Sequence, residues 1–153
     1  MNNEVSSVEV EKDFDFSEID TVAACNKGFE LQLVHPSTKA PLKVWLKIVG
    51  KDSDAFNAKV AEQRNADIRL ASEAAKRGKQ PKLKTHEESK REEAELLASC
   101  VIGFRCAGGS YVMLKGQKLL YSEANVIKLL TEMPSIKEQV DGAVVNLENF
   151  LKG

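Results

Sequence analysis

Tyr121 to Leu151, YSEANVIKLLTEMPSIKEQVDGAVVNLENFL, is the stretch whose reading decides the fold. Ser122 stands where an N-cap belongs, ahead of a run in which Val126, Ile127, Leu130 and Met133 share one helical face. Pro134 cannot continue that helix, because it lacks an N–H and its ring clashes with the preceding turn, yet its fixed φ suits the first turn of a new one. The spacing therefore predicts two helices meeting at a corner. The second presents Ile136, Val140, Ala143, Val144, Leu147 and Leu151 on one face, with Lys137, Glu138, Asp141, Asn146 and Glu148 away from it. The stretch holds neither His nor Cys, so it offers no catalytic constellation and no metal site.

Working back from this pair, Phe104 to Leu120 reads as a short hairpin. Ala107-Gly108-Gly109-Ser110 supplies its turn, Tyr111 to Leu114 is strand-like, and Gly116 breaks the chain before Lys118 to Tyr121. The Gly108-Gly109 pair has neither the GxxxxGK[ST] nor the GxGxxG spacing of a phosphate loop. Upstream, Thr85-His86-Glu87-Glu88 has the form of a capping box. The helix it opens is predicted to run through Ala94, Leu97, Ala98, Val101 and Ile102 to a stop at Gly103, and His86 belongs to its cap rather than to a reaction.

Residues 76–93 form a charged segment. Lys76, Arg77, Lys79, Lys82 and Lys84 stand together, but no aromatics interleave them and Glu87, Glu88, Glu92 and Glu93 follow at once, which favours a solvated loop over a nucleic-acid surface. Before it, Ala55 to Lys76 contains neither Pro nor Gly, begins after the potential caps Asp52, Ser53 and Asp54, and ends at the Gly78 and Pro81 stop. The apolar face of this helix, Phe56, Val60, Ile68, Ala71 and Ala75, is diluted by Arg64, Asn65 and Asp67 and is expected to be solvated or offered to a neighbour.

Earlier still, Phe29, Leu31 and Leu33 alternate with Glu30 and Gln32, and Leu42, Val44, Leu46 and Ile48 alternate with Lys43, Trp45 and Lys47. The loop His35 to Pro41 between them completes a hairpin, and Asn26-Lys27-Gly28 marks a turn before it. The period of two puts Trp45 on the lysine face, so either a segment of this chain covers it or a partner does. Residues 1–20 carry Glu4, Glu9, Glu11, Asp13, Asp15, Glu18 and Asp20 against Lys12 alone, the composition of a partly flexible arm. Phe14, Phe16 and Ile19 interrupt the charge, and they dock either on their own core or on a partner.

The expected architecture is α+β: two small β-hairpins packed against about four helices, with residues 21–153 as a single domain. A net charge of -1, with 42% hydrophobic and 29% charged residues, gives no global pull toward nucleic acid or membrane. The opening MNNEVSSVEVEKDFDF lacks the basic and apolar regions of a secretory signal, so a cytosolic chain is the expectation. The odd set Cys25, Cys100 and Cys106 points to free thiols, and with only His35 and His86 a zinc site would need unfamiliar ligand spacing. No catalytic residue, metal or cofactor is expected.

Several stretches together resemble the tail assembly chaperones of long-tailed bacteriophages. Asp20-Thr21-Val22-Ala23-Ala24, Gly28 and His35-Pro36-Ser37-Thr38 match that family's "DTVAA" run, glycine and "HP-T" loop. EEAELLASCVIGF is similar to its "LLA..V.GW" helix, with Phe104 where the family often has Trp. The ending matches at Tyr121-Ser122, Glu123-Ala124-Asn125, Leu129-Leu130, Ile136, Gln139-Val140-Asp141, Ala143 and Asn149-Phe150-Leu151, although no Pro follows Ser122. The resemblance covers most of residues 14–151 through the order and spacing of these stretches.

It implies a non-enzymatic protein of the infected bacterial cytoplasm, absent from the mature virion. The implied partner is the tape-measure protein, kept soluble until the tail tube assembles, with the tube subunit and self-association as further candidates. A longer frameshifted form is common in such phages. The surface expected to meet the client is Trp45, Phe56, Val60 and Ile68, with Phe14 and Phe16 on the arm. The rival expectations are a structural protein of the tail or head-tail connector, found in particles, and a small nucleic-acid-binding module resting on Lys76 to Lys84.

Overall fold

The structure is a computed structural model, and it describes residues 13–152. Among the described residues, six α-helices and two antiparallel sheets of three and two strands make an α+β fold. Residues 1–12 of the acidic arm lie outside the described residues. The rest of the arm forms a 3-10 turn, Phe16–Ile19, capped by the Asp15 carboxylate.

Helix α1 (Thr21–Lys27) follows, capped by Asp20, whose Oδ1 accepts the Ala23 N–H at 3.0 Å. The Asn26-Lys27-Gly28 signal is the end of this helix rather than a free turn. Gly28 takes φ 77°, and a Cβ there would strike the Ile48 carbonyl oxygen, so only glycine fits.

Strands β1 (Phe29–Val34) and β2 (Pro41–Ile48) form the expected hairpin, in the register Phe29↔Ile48, Leu31↔Leu46 and Gln32↔Trp45. Pro41 opens its strand, where a missing N–H costs no ladder bond. The His35 ring orders the loop between them, its Nδ1 accepting the Ser37 and Thr38 N–H groups at 3.1 and 3.2 Å.

Helices α2 (Asp54–Lys76) and α3 (His86–Ala98) come next. The Thr85–Glu88 capping box is formed in full. Helix α3 stops at Ala98, however, and Val101 to Gly103 do not extend it: strand β3 (Val101–Cys106) pairs with the free edge of β2, Leu46 opposite Phe104 and Ile48 opposite Val101. The register slips between Lys47 and Ile48, so Ile102 is an extra residue bulged out of the ladder. That insertion puts Val101 and Phe104 three apart on the buried side, which imitates a helical stripe.

The second hairpin is shifted as well. Its strands are β4 (Tyr111–Leu114) and β5 (Gln117–Leu120), and its turn is Lys115-Gly116, both at positive φ as a two-residue primed turn requires. The Gly108-Gly109 pair instead closes a tight link from β3 to β4, with the Cys106 N–H on the Gly109 carbonyl at 2.7 Å.

Helices α4 (Glu123–Glu132) and α5 (Pro134–Val145) are the expected pair, with Ser122 as N-cap of the first and Pro134 at the start of the second. Ile136, Val140, Ala143 and Val144 are buried. The second helix breaks at Asn146, whose Oδ1 accepts the Glu148 N–H at 3.1 Å, a side chain competing with the helical backbone. The short helix α6 (Glu148–Leu151) then turns Phe150 into the core against Phe29, ring centroids 5.1 Å apart, and leaves Leu151 exposed.

One core joins these parts. Leu46, Ile48, Val101 and Phe104 on the inner sheet face meet Ala94, Leu97, Val126, Leu130, Val140 and Val144 from the helices. Helix α5 also seals the outer edge of β1, the Gln139 amide both accepting from the Val34 N–H and donating to its carbonyl, each at 2.9 Å.

Candidate functional site

Helix α2 is 23 residues long and none of them is buried. Its start is fixed. Ser53 caps it with Oγ on the Phe56 N–H at 3.2 Å, and Asn26 and Asp54 exchange two hydrogen bonds of 2.8 and 3.2 Å. From there the helix is held mainly by polar ties, Gln63 donating to the Glu92 carbonyl and Lys84 bridging Asp67 and Glu92 at 2.8 and 2.7 Å. Those two carboxylates, Asp67 first, raise the Lys84 ammonium above its usual range.

Beside the first turn of α2, a groove of about 470 Å³ opens between α2, α3 and α5. Phe56, Leu96, Pro134 and Val145 give it an apolar lining, and Val145 is 50% exposed. Glu138 and Asp141 stand on its rim beside the Lys137–Glu93 ion pair at 2.6 Å, which holds the Glu93 carboxyl below its ordinary range. An apolar trough with an acidic rim is chemically suited to one face of an amphipathic helix that carries basic flanks.

The site residues expected from the sequence do not form one surface. Phe56 lines this groove, and Val60, one turn further along the same stripe, is half-buried. Ile68 is 59% exposed but lies about 120° around the helix from Phe56, on the solvent side. Phe14 and Phe16 stack edge to face on the arm with centroids 5.6 Å apart, 59% and 78% exposed.

Trp45 is on the outer sheet face as its period requires, and the chain itself covers it. The Arg105 guanidinium lies 4.0 Å over its ring, and Glu30 holds that guanidinium by two hydrogen bonds of 3.0 and 2.9 Å. Leu96 and Val145 were not anticipated. Val145 falls outside the buried stripe of α5, and only its position beside Val144 at the end of that stripe marks it.

A second groove, of about 700 Å³, lies at the far end of α2, where the loop to α3 folds back over Leu70 and Ala74. Lys84 is its tied cation, while Leu83 is 88% exposed.

Among the described residues no three His, Cys, Asp or Glu side chains are grouped as metal ligands, and no helix is long and apolar enough to cross a membrane. The thiols divide by environment. Burial pushes Cys25 up and Cys100 up to about 11. Burial also works against the Cys106 thiolate, but N–H groups of Gly108, Gly109 and Tyr111 and the Tyr111 hydroxyl outweigh it and lower its pKa.

The fold and these surfaces define a small α+β domain with one long helix, α2, that buries no residue, and with surface grooves at both ends of that helix. No protein-family model, curated protein or solved structure matches the chain.

Proposed function

We propose that the protein is a tail assembly chaperone of a long-tailed bacteriophage, a non-enzymatic holdase that binds helical segments of the tape-measure protein. It keeps them soluble in the host cytoplasm until the tail tube forms around them, and it is left out of the finished particle. The resemblance in the order DTVAA, HP-T, LLA and QVD motifs supports the family. The observation that carries the mechanism is the groove floored by Phe56, Leu96 and Val145, which offers an apolar trough to a client helix while the fold keeps its own core closed.

In this reading the client's apolar stripe replaces water over Phe56 and Val145, and basic residues beside that stripe meet Glu138 and Asp141. Trp45, covered by Arg105, drops out of the contact surface, and Ile68 contributes only where a client wraps past the edge of α2.

Co-expression with a tape-measure protein tests the reading. Soluble client recovered only in the presence of this chain, lost with Phe56→Ser/Val145→Ser while the circular dichroism spectrum holds, is the expected result. Detection of the chain by mass spectrometry in purified virions would replace the chaperone with a structural tail protein.

A further inference from the structure

Helix α5 has two faces. Ile136, Val140, Ala143 and Val144 turn into the core, and on the opposite side Pro134, Glu138, Asp141, Gly142 and Val145 recur at spacings of three and four. At 3.6 residues per turn these five positions fall within about 100° of the helix circumference and run about 16 Å along it. All five are exposed. Four of them line the groove beside Phe56 and Leu96, and Gly142 stands on the other flank of the stripe.

Charge and shape both specify what this face can meet. The charged side chains lining the groove are Glu93, Lys137, Glu138 and Asp141. Lys137 is taken by Glu93 at 2.6 Å, and neither Glu138 nor Asp141 forms an ion pair among the described residues. Two carboxylates one turn apart are thus left between the apolar ends Pro134 and Val145. The matching occupant is an amphipathic helix with Lys or Arg beside its apolar stripe, and an acidic helix is repelled.

Gly142 lies inside a helix, where glycine costs stability relative to alanine, and a Cβ there would meet nothing within 4 Å. It is not among the glycines at positive φ. Among the described residues, then, nothing calls for glycine at this position. A bare stretch of helix backbone next to Glu138 and Asp141 does let a second helix come close enough for its cations to reach both carboxylates.

We propose that the helix held by this protein lies along the outward stripe of α5, packed close at Gly142, and that Glu138 and Asp141 select helices with basic residues three or four apart beside the apolar stripe. This rests on the reading of the groove as a client site, and it adds the client's charge and the line the client follows.

Calorimetric titration of the full chain with two amphipathic helical peptides tests it. Both carry the same leucine stripe, flanked by lysines in one and by glutamates in the other. The lysine peptide should bind, less tightly as salt rises, and the glutamate peptide about tenfold more weakly or worse. Glu138→Lys/Asp141→Lys should reverse that order. Gly142→Gln should weaken lysine-peptide binding about fivefold or more, as overfilling a close-packed contact does, while the unfolding midpoint of the free chain rises because glutamine is the better helix former. A glycine with a purely structural role would move the midpoint and leave binding alone.

Equal binding of the two peptides, binding of neither, or lysine-peptide binding that either variant leaves unchanged overturns the proposal. A tape-measure fragment titrated alongside separates it from the chaperone reading. A fragment whose binding is lost with Phe56→Ser/Val145→Ser but ignores both α5 variants keeps the chaperone and removes the α5 contact. A fragment that fails to bind, while the lysine peptide behaves as expected, removes the chaperone and keeps the α5 contact.

Discussion

Helix α5 and helix α2 divide the molecule between them. In its 12 residues α5 buries Ile136, Val140, Ala143 and Val144, while α2, with 23 residues, buries none. A helix of the first kind is stable because its apolar stripe leaves water. One of the second kind rests on good helix formers, the Ser53 cap and the polar ties from Gln63 and Lys84. The core therefore sets the global stability, and α2 is the part free to open locally and to offer surface.

The largest expected effect strikes the core side of this comparison. Leu130 is 1% exposed, and Leu130→Ala should cost about 3–5 kcal/mol in denaturant unfolding, enough to threaten the fold of so small a domain. Gln139→Ala should cost about 1–3 kcal/mol, because it strands the Val34 N–H and carbonyl at the edge of β1, and the same change should raise the tendency to aggregate through that edge. Ser53→Ala should cost about 1 kcal/mol and speed amide exchange in the first turn of α2 more than anywhere in α4 or α5.

Lys84→Ala should leave the unfolding midpoint nearly unchanged and speed exchange around Asp67 and Glu92, since its bridges are exposed to solvent. If it instead lowered global stability as much as Gln139→Ala, α2 would belong to the core's cooperative unit. The smallest perturbation is thiol labelling of the native chain. Cys106, with its lowered pKa, should react first and at lower pH than an ordinary cysteine, while buried Cys25 and Cys100 wait for unfolding.

The same contrast explains what could be read from the sequence. The Ser122 and Thr85 caps, the Pro134 corner, the β1–β2 alternation and the α+β class were legible because each depends on neighbours along the chain. Strand β3 was hidden, since the bulge at Ile102 gives Val101 and Phe104 a helical spacing and only the distant edge of β2 decides between the two forms. The break at Asn146 turned on one side-chain hydrogen bond, which displaced Leu151 and brought in Phe150.

Of the expected contact residues, Phe56 alone was found lining the groove proposed here for the client. Trp45 was legible as an outward residue but not as a covered one, because Arg105 and Glu30 reach it from two other strands. Leu96 and Val145 join Phe56 only through the packing of three helices, a relation that no local pattern encodes.

The most direct test of the proposed role is hydrogen exchange on the chain alone and bound to a tape-measure fragment. The account predicts new protection around Phe56, Leu96 and Val145, with the amides beside Trp45 on β2 unchanged. Protection appearing on the outer sheet face, with none at that groove, would contradict it.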